Sequence, residues 1–262
     1  MDLGLLGKRA IVTGASRGIG RACAIELARE GASVCVAGRD EALIAGVVAA
    51  AEAAGGRAVG VSADLRTPEG CATVVARCVE AFGGVDVLVN SAGAAKMAGV
   101  LDLTREIVDD ALELKFYGYL RMSQLVIPHM RANGWGRIVN IAGAAGTSPA
   151  PGNLPTSLAN IAVLNASRAL SDVASGDGIL VNTICPGLTN TDRGRELAAR
   201  RALREGRDVE EVFREMGSGV PAGRMAEPEE VARVACFLAS EACSYVHGSA
   251  LYMDGGARRG TP

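Results

Sequence analysis

The sequence predicts an α/β chain: a doubly wound, parallel sheet of about seven strands with helices on both faces. Three observations predict it. Short runs rich in β-branched residues alternate with longer helical stretches along the 262 residues. The runs are continuously apolar, as strands buried on both faces are. The first run also leads straight into a glycine-rich turn that opens a helix.

The predicted strands are Ala10–Val12, Ser33–Ala37, Ala58–Ser62, Asp86–Asn90, Arg137–Ile141, Ile179–Ile184 and Ala250–Met253, each bounded by turn residues. The predicted helices are Ile19–Glu30, Glu41–Ala54, Pro68–Phe82, Thr104–Arg131, Leu154–Val173 and Glu227–Ala239. Pro68 and Pro228 mark helix starts, where the missing N–H is not needed and φ is already helical. The rhythm breaks once, at residues 191–220, a charged helical stretch with glycines at 194, 206, 217 and 219. It is either a solvated insertion or a lid over a substrate. The lid is expected, because ligands of open α/β sheets bind beyond the carboxyl ends of the strands, where this stretch begins. No repeat or linker interrupts the chain, so residues 1–262 are read as a single domain.

Composition excludes several function classes. Lys+Arg is 27 against Asp+Glu 29, a net charge of −2, so no global field holds nucleic acid or an anionic membrane. Aromatic residues are 3%, too few for a base-stacking platform. There is no stretch of about 18 apolar residues to span a bilayer and no signal-peptide pattern, so a cytoplasmic protein is expected. The seven cysteines form no Cys-x-x-Cys, so they are read as buried, reduced thiols, and no metal site is expected. His129 and His247 stand alone.

The turn after the first strand is Thr13-Gly14-Ala15-Ser16-Arg17-Gly18-Ile19-Gly20. Its glycines allow a close backbone approach, and the helix that follows offers free N–H groups and a positive dipole end to a pyrophosphate. Four further motifs follow in order: Asp64-Leu65 after the third strand, Asn90-Ser91-Ala92-Gly93 after the fourth, Pro186-Gly187 with Thr191 after the sixth, and Asp254-Gly255-Gly256 near the end. Together they resemble the short-chain dehydrogenase/reductase family over nearly the whole chain. The resemblance implies a single-domain Rossmann fold with Gly14, Ser16, Arg17, Gly18, Ile19, Gly20, Arg39, Asp64, Leu65, Asn90, Ala92, Gly93, Pro186, Gly187 and Thr191 around a nicotinamide dinucleotide. At the end of the second strand, Gly38 stands where an acidic residue would hold the ribose 2′-hydroxyl, and Arg39 follows. With Arg17 it suits a 2′-phosphate, so NADP(H) is predicted over NAD(H). The alternative is that both are ordinary surface arginines.

The family resemblance also implies a catalytic Asn, Ser, Tyr and Lys. The Tyr handles the proton on the substrate oxygen, the Lys lowers its pKa and holds the ribose, the Ser binds the oxygen, and the Asn holds a water. In this sequence those four positions read Lys115, Gly143, Thr156 and Asn160. The tyrosines are Tyr117, Tyr119, Tyr245 and Tyr252, the lysines Lys8, Lys96 and Lys115, and no Tyr-x-x-x-Lys exists. A threonine hydroxyl is far too weak an acid to replace a phenol. Lys and Asn are exchanged between two positions that face one another in the family, so Lys115 is read as a cation entering the same cavity from the other helix. The alternative is a helix lysine whose stem lies on apolar surface. Tyr119 is expected to be packing, Lys96 to be on the surface, and Cys185 to be buried. The proline-rich stretch from Gly146 to Pro155 is expected to present Ser148 or Asn153 to a ligand.

Three functions stay open on these residues. One is an atypical NADP(H)-dependent oxidoreductase acting on a small carbonyl, alcohol or activated double bond. Another is a non-redox lyase, isomerase or cyclase on the same scaffold. The third is a silent nucleotide-binding subunit. The first is preferred, because the whole cofactor apparatus is present. The partner expected is a small-molecule substrate, with neither nucleic acid nor membrane. The long helices 104–131 and 154–173 resemble those through which the family forms dimers and tetramers, so a homo-oligomer is expected.

Overall fold

The structure, a computed structural model, describes residues 2–93 and 96–259. Strands β1 (Arg9–Val12), β2 (Ser33–Gly38), β3 (Arg57–Ser62), β4 (Val87–Asn90), β5 (Gly136–Ile141), β6 (Ile179–Pro186) and β7 (Ala250–Met253) form one sheet in the order β3-β2-β1-β4-β5-β6-β7. Every neighbouring pair is parallel. The chain winds outward from β1 to β3, then returns to place β4 on the other side of β1. That reversal opens a crevice between the carboxyl ends of β1 and β4.

The helices are α1 (Gly18–Arg29), α2 (Glu41–Ala53), α3 (Pro68–Phe82), α4 (Arg105–Leu112), α5 (Gly118–Asn133), α6 (Leu154–Ala174), α7 (Asp192–Glu205), α8 (Val209–Ser218) and α9 (Pro228–Leu238). Helices α1, α2 and α9 bury their apolar faces on one side of the sheet. Helices α3, α5 and α6 do so on the other. Odd and even residues of each strand serve opposite cores: Ile11 faces the α5 side while Ala10 and Val12 face α1. Thr67 caps α3 by accepting from Gly70 N, with Pro68 at the first helical position as expected. The α9 start at Pro228 is closed by a capping box between Glu227 and Glu230.

Two expectations need correction. Strands β3 and β7 are not buried on both faces; they are the sheet's edges and half-exposed. The helix expected over 104–131 is two helices, α4 and α5, joined by a π-helical turn at Glu113–Tyr117. Such a turn shifts the side-chain register by one residue, which hydropathy periodicity does not reveal. The charged stretch 191–220 is helical, and its two helices, α7 and α8, form a hairpin with a small core of its own: Ala198, Ala202 and Val212 against Phe213 and Met216. Arg201 and Arg207 bridge Glu205, Glu211 and Glu215 across it. Its two ends are pinned side by side, with Asn190 N donating to Ala226 O at 2.8 Å and Ala226 N donating to Leu188 O at 3.0 Å.

Candidate active site

Leaving β1, the chain folds its glycine-rich turn against the turn that ends β4. Thr13 Oγ1 accepts from Ser91 N at 3.1 Å and from Ala92 N at 3.4 Å. Gly14 has φ +61°, and a β-carbon there would lie 2.6 Å from Ala92 Cα, so only glycine fits. At Gly20 a β-carbon would lie 2.3 Å from Gly14 O, so the first turn of α1 closes directly onto the loop. No side chain caps α1, and no acidic residue occupies its first turn. Bare backbone and uncapped N–H groups therefore face the same crevice, the arrangement that receives a pyrophosphate. The residues present fit a dinucleotide.

The other expected contacts surround this crevice. The end of β2 abuts the loop: a β-carbon at Gly38 would lie 3.4 Å from Ser16 Cβ. Arg17 and Arg39, each the next residue, leave from that corner and are exposed. Arg17 Nη1 stands 3.8 Å from Asp192 Oδ2, at the start of α7. Ile19 is half-buried against the α1 core. Asp64 is exposed with Oδ1 accepting from Arg66 N at 3.0 Å, and Leu65 is buried beneath it. Ala92 is buried and Gly93 exposed. Pro186 ends β6, and Gly187 is packed so closely on Asp254 that a β-carbon would approach Asp254 Cα to 2.8 Å. Thr191 caps α7 and lies beside Gly18, so the hairpin's first residues meet the glycine loop.

Asn90 is wholly buried and internal. Its Nδ2 donates to Asn140 Oδ1 at 2.9 Å, and Asn140 Nδ2 donates to Ser167 Oγ at 2.8 Å. This buried chain ties β4, β5 and α6 together through the register Asn90↔Asn140.

The four positions singled out for catalysis gather around the end of β5. Lys115 leaves the π-helical turn, and its Nζ donates to Ala142 O at 2.8 Å. Its stem passes Gly93, where a β-carbon would lie 3.5 Å from Cδ. Lys115 is half-buried, and desolvation lowers its pKa to about 8 against a small opposing effect of Cys185. Gly143 follows Ala142, and a β-carbon there would lie 2.8 Å from Asn160 Nδ2. Asn160 is 2% exposed, and its Oδ1 is buried without a partner. Thr156, one turn earlier on α6, also has a buried, unpartnered hydroxyl. Asn153 Oδ1 shares that condition, whereas Ser148 is exposed.

Other residues fall as follows. Tyr119 is buried, its hydroxyl donates to Ile141 O at 3.1 Å, and burial pushes its pKa up. Lys96 is exposed. All seven cysteines are buried and free, and burial raises the Cys185 thiol. His247 is held between Val181 N, from which Nδ1 accepts, and Ser171 O, 2.7 Å from Nε2. Tyr252 is the residue that sequence reasoning passed over. The register Cys185↔Tyr252 puts both side chains on the α5–α6 face, and the Tyr252 hydroxyl lies 3.0 Å from Thr147 Oγ1. Arg258 covers its ring at 4.2 Å. Strand alternation was the available signal, but it needs the β6–β7 register to be known.

Fold and crevice together define a dinucleotide-binding α/β protein. A family model described as enoyl-(acyl carrier protein) reductase matches residues 14–258. The short-chain reductase protein NovJ of Streptomyces niveus is 37% identical over 247 residues, covering 94% of this chain and 92% of the relative. The structure of L-sorbose reductase from Gluconobacter frateurii, complexed with NADPH and L-sorbose, superposes with a TM-score of 0.95 at 32% identity, covering 100% of both chains. An actinorhodin polyketide ketoreductase variant with NADPH has a TM-score of 0.91 at 32% identity, covering 95% of this chain and 97% of that one. The chain belongs to the short-chain dehydrogenase/reductase family of oxidoreductases. Among the described residues no helix is long and apolar enough to cross a membrane.

Proposed function

We propose that the protein is a cytoplasmic NADP(H)-dependent oxidoreductase acting on a small carbonyl, alcohol or activated double bond through a non-standard catalytic set. Gly14, Ser16, Gly18, Ile19 and Gly20 would hold the pyrophosphate and Asp64-Leu65 the adenine. Arg17 and Arg39 would hold the 2′-phosphate, and Pro186, Gly187 and Thr191 the nicotinamide end. The NADPH complexes of two relatives of similar fold support that choice of cofactor. The bound nucleotide supplies the hydride. This chain's residues do the rest. Lys115 keeps two N–H donors free beyond the one given to Ala142 O, so it can neutralise negative charge on a substrate oxygen and return a proton to it. The Thr156 hydroxyl, which lacks a partner, donates to that oxygen and orients it, and the unpartnered Asn160 Oδ1 is left to accept from a hydroxyl of the nucleotide or of an alcohol. The α7–α8 hairpin, pinned at Asn190 and Ala226, serves as the lid over residues 191–220. Helices α5 and α6, which lie in the stretches 104–131 and 154–173, would pair copies into a dimer or tetramer.

The carrying observation is the Lys115 ammonium at the end of β5, beside the Gly93 turn. Quenching and transfer fluorescence with NADPH and NADH, followed by the near-ultraviolet absorbance of NADPH with a carbonyl panel, tests this function. Turnover without net nicotinamide oxidation, or nucleotide binding without turnover of any substrate, would reject it.

A further inference from the structure

The polar groups around the end of β5 share a deficit. Lys115 Nζ has one acceptor, a backbone carbonyl, and no carboxylate pairs with it among the described residues. Several acids on the adjoining elements are already engaged. Glu113, on the same π-helical turn, pairs with Arg121 at 2.6 Å. Asp109 and Asp110 on α4 pair with Arg105 and Arg66. Asp254 accepts from Gly256 N and Arg258 N. The titratable groups facing Lys115 from the sheet are Cys185, whose thiol burial keeps protonated, and Tyr252 beyond it. From α6 the neighbours are neutral: the Thr156 hydroxyl and the amide of Asn160, whose Nδ2 lies over Gly143.

Resting on the function proposed above, we infer that the substrate itself carries a carboxylate close to its oxo group, and that of the two free Lys115 donors one serves the oxo oxygen and the other the carboxylate, with the Thr156 hydroxyl beside them; the substrate class is a short oxo acid. A desolvated cation whose only protein partner is a carbonyl is a poor stopping point for a fold. On α6 the Thr156 hydroxyl leaves a donor unused in the same place, and Asn160 Oδ1 leaves an acceptor. A carboxylate supplies the missing negative charge and accepts from Nζ and from the Thr156 hydroxyl. The buried Asn160 Oδ1 is then the acceptor left for a hydroxyl of the nucleotide or of the reduced product. A neutral ketone or sugar leaves the charge unmatched.

The chain has three lysines, so NMR of isotope-labelled lysine in the full-length protein resolves the titration of Lys115 directly. The probes are pyruvate and acetoacetate, each beside its neutral amide, with and without saturating NADP+. Binding of either acid should move the Lys115 midpoint upward from about 8, and the amides should leave it in place. Lys115→Met should weaken acid binding roughly 10-fold or more and spare amide binding, and Lys115→Arg should restore the preference for the acid. Equal effects of acids and amides, or no effect of either, would overturn the inference. So would NADP+ alone raising the midpoint and abolishing the response to acids, since the nucleotide phosphate would then be the counter-ion. Failure of the oxidoreductase function is read separately, as absent NADPH binding or absent NADPH oxidation.

Discussion

Lys115 Nζ donates to the carbonyl oxygen of Ala142 across 2.8 Å, and that bond sets the ammonium at the end of β5 rather than out in solvent. Desolvation holds its pKa at about 8, below the ordinary 10.5. Two outcomes follow. A rate that needs the ammonium falls as pH rises through about 8, and Lys115→Arg moves that limb to higher pH; a pH–rate profile of kcat/KM checks it. The linkage has a defined sign. Between about 8 and 10.5 the unfolded chain holds a proton that the folded chain has released, so this group's contribution to stability rises with pH there. Below about 8 the charged group is a burden of at most about 3 kcal/mol, so Lys115→Met should be the more stable protein at neutral pH, by denaturant midpoint.

Gly143 and Asn160 constrain each other. A β-carbon on residue 143 meets Asn160 Nδ2 at 2.8 Å, so Gly143→Ser does not install a serine in a waiting space. It should destabilise the fold by about 1–3 kcal/mol through overpacking. Asn160→Ala removes the obstacle, so the double variant should recover part of that loss. A double-mutant cycle by chemical denaturation reads the coupling directly, and additive losses would reject the contact as the cause.

How far the sequence carried is visible at these same residues. The strand–turn–helix order located the glycine loop and the end of β6, because each depends on local chemistry, a turn or a helix start, whereas Asp64 and Pro186 were picked out by likeness to family motifs. The positions of Lys115, Thr156 and Asn160 were legible only through a family pattern. Their meeting point was not, because it depends on the π-helical turn at Glu113–Tyr117 and on the packing of α6 against Gly143. Tyr252 and the Asn90–Asn140–Ser167 chain were missed for a related reason. Both are products of strand register, and period-two alternation leaves register undetermined until strands are paired.

Gly20 sits with its α-carbon against Gly14 O, leaving 2.3 Å for any β-carbon. Gly20→Val must push the first turn of α1 away from the loop, which tilts the N–H groups that would face the pyrophosphate. NADPH affinity should be lost while the far-ultraviolet circular dichroism stays native. Retained affinity would show that the crevice does not receive the nucleotide through this loop.

Arg17 and Arg39 separate the two nicotinamide cofactors. Both are exposed near the Ser16–Gly38 junction, and Arg17 also stands near Asp192. Arg39→Ala should weaken NADPH binding roughly 10-fold or more, the worth of a charge-assisted contact to phosphate, and leave NADH binding unchanged. Equal loss for both nucleotides would point to a general surface effect instead.

Far from the crevice, Asp86 holds the amino-terminal end of the sheet together. Its Oδ2 accepts from Arg9 N at 2.9 Å and Arg9 Nε at 2.7 Å, and its Oδ1 accepts from Arg9 Nη2 at 2.7 Å and Asn133 Nδ2 at 3.0 Å. Burial opposes ionisation, but the bonds from Arg9 outweigh it and hold the carboxyl below its ordinary value. The folded pKa is therefore the lower of the two, and the stabilisation is full above the unfolded value and lost as pH falls through the folded one. Asp86→Asn keeps the shape but removes the charge that Arg9 needs, and one amide end then presents donors to a donor. The expected loss is about 1–3 kcal/mol, below that of a fully buried pair because Arg9 keeps 23% of its side chain in solvent. Denaturation midpoints of the two proteins should differ at neutral pH and converge in acid, and a difference that persists in acid would mean the asparagine disturbs packing rather than charge.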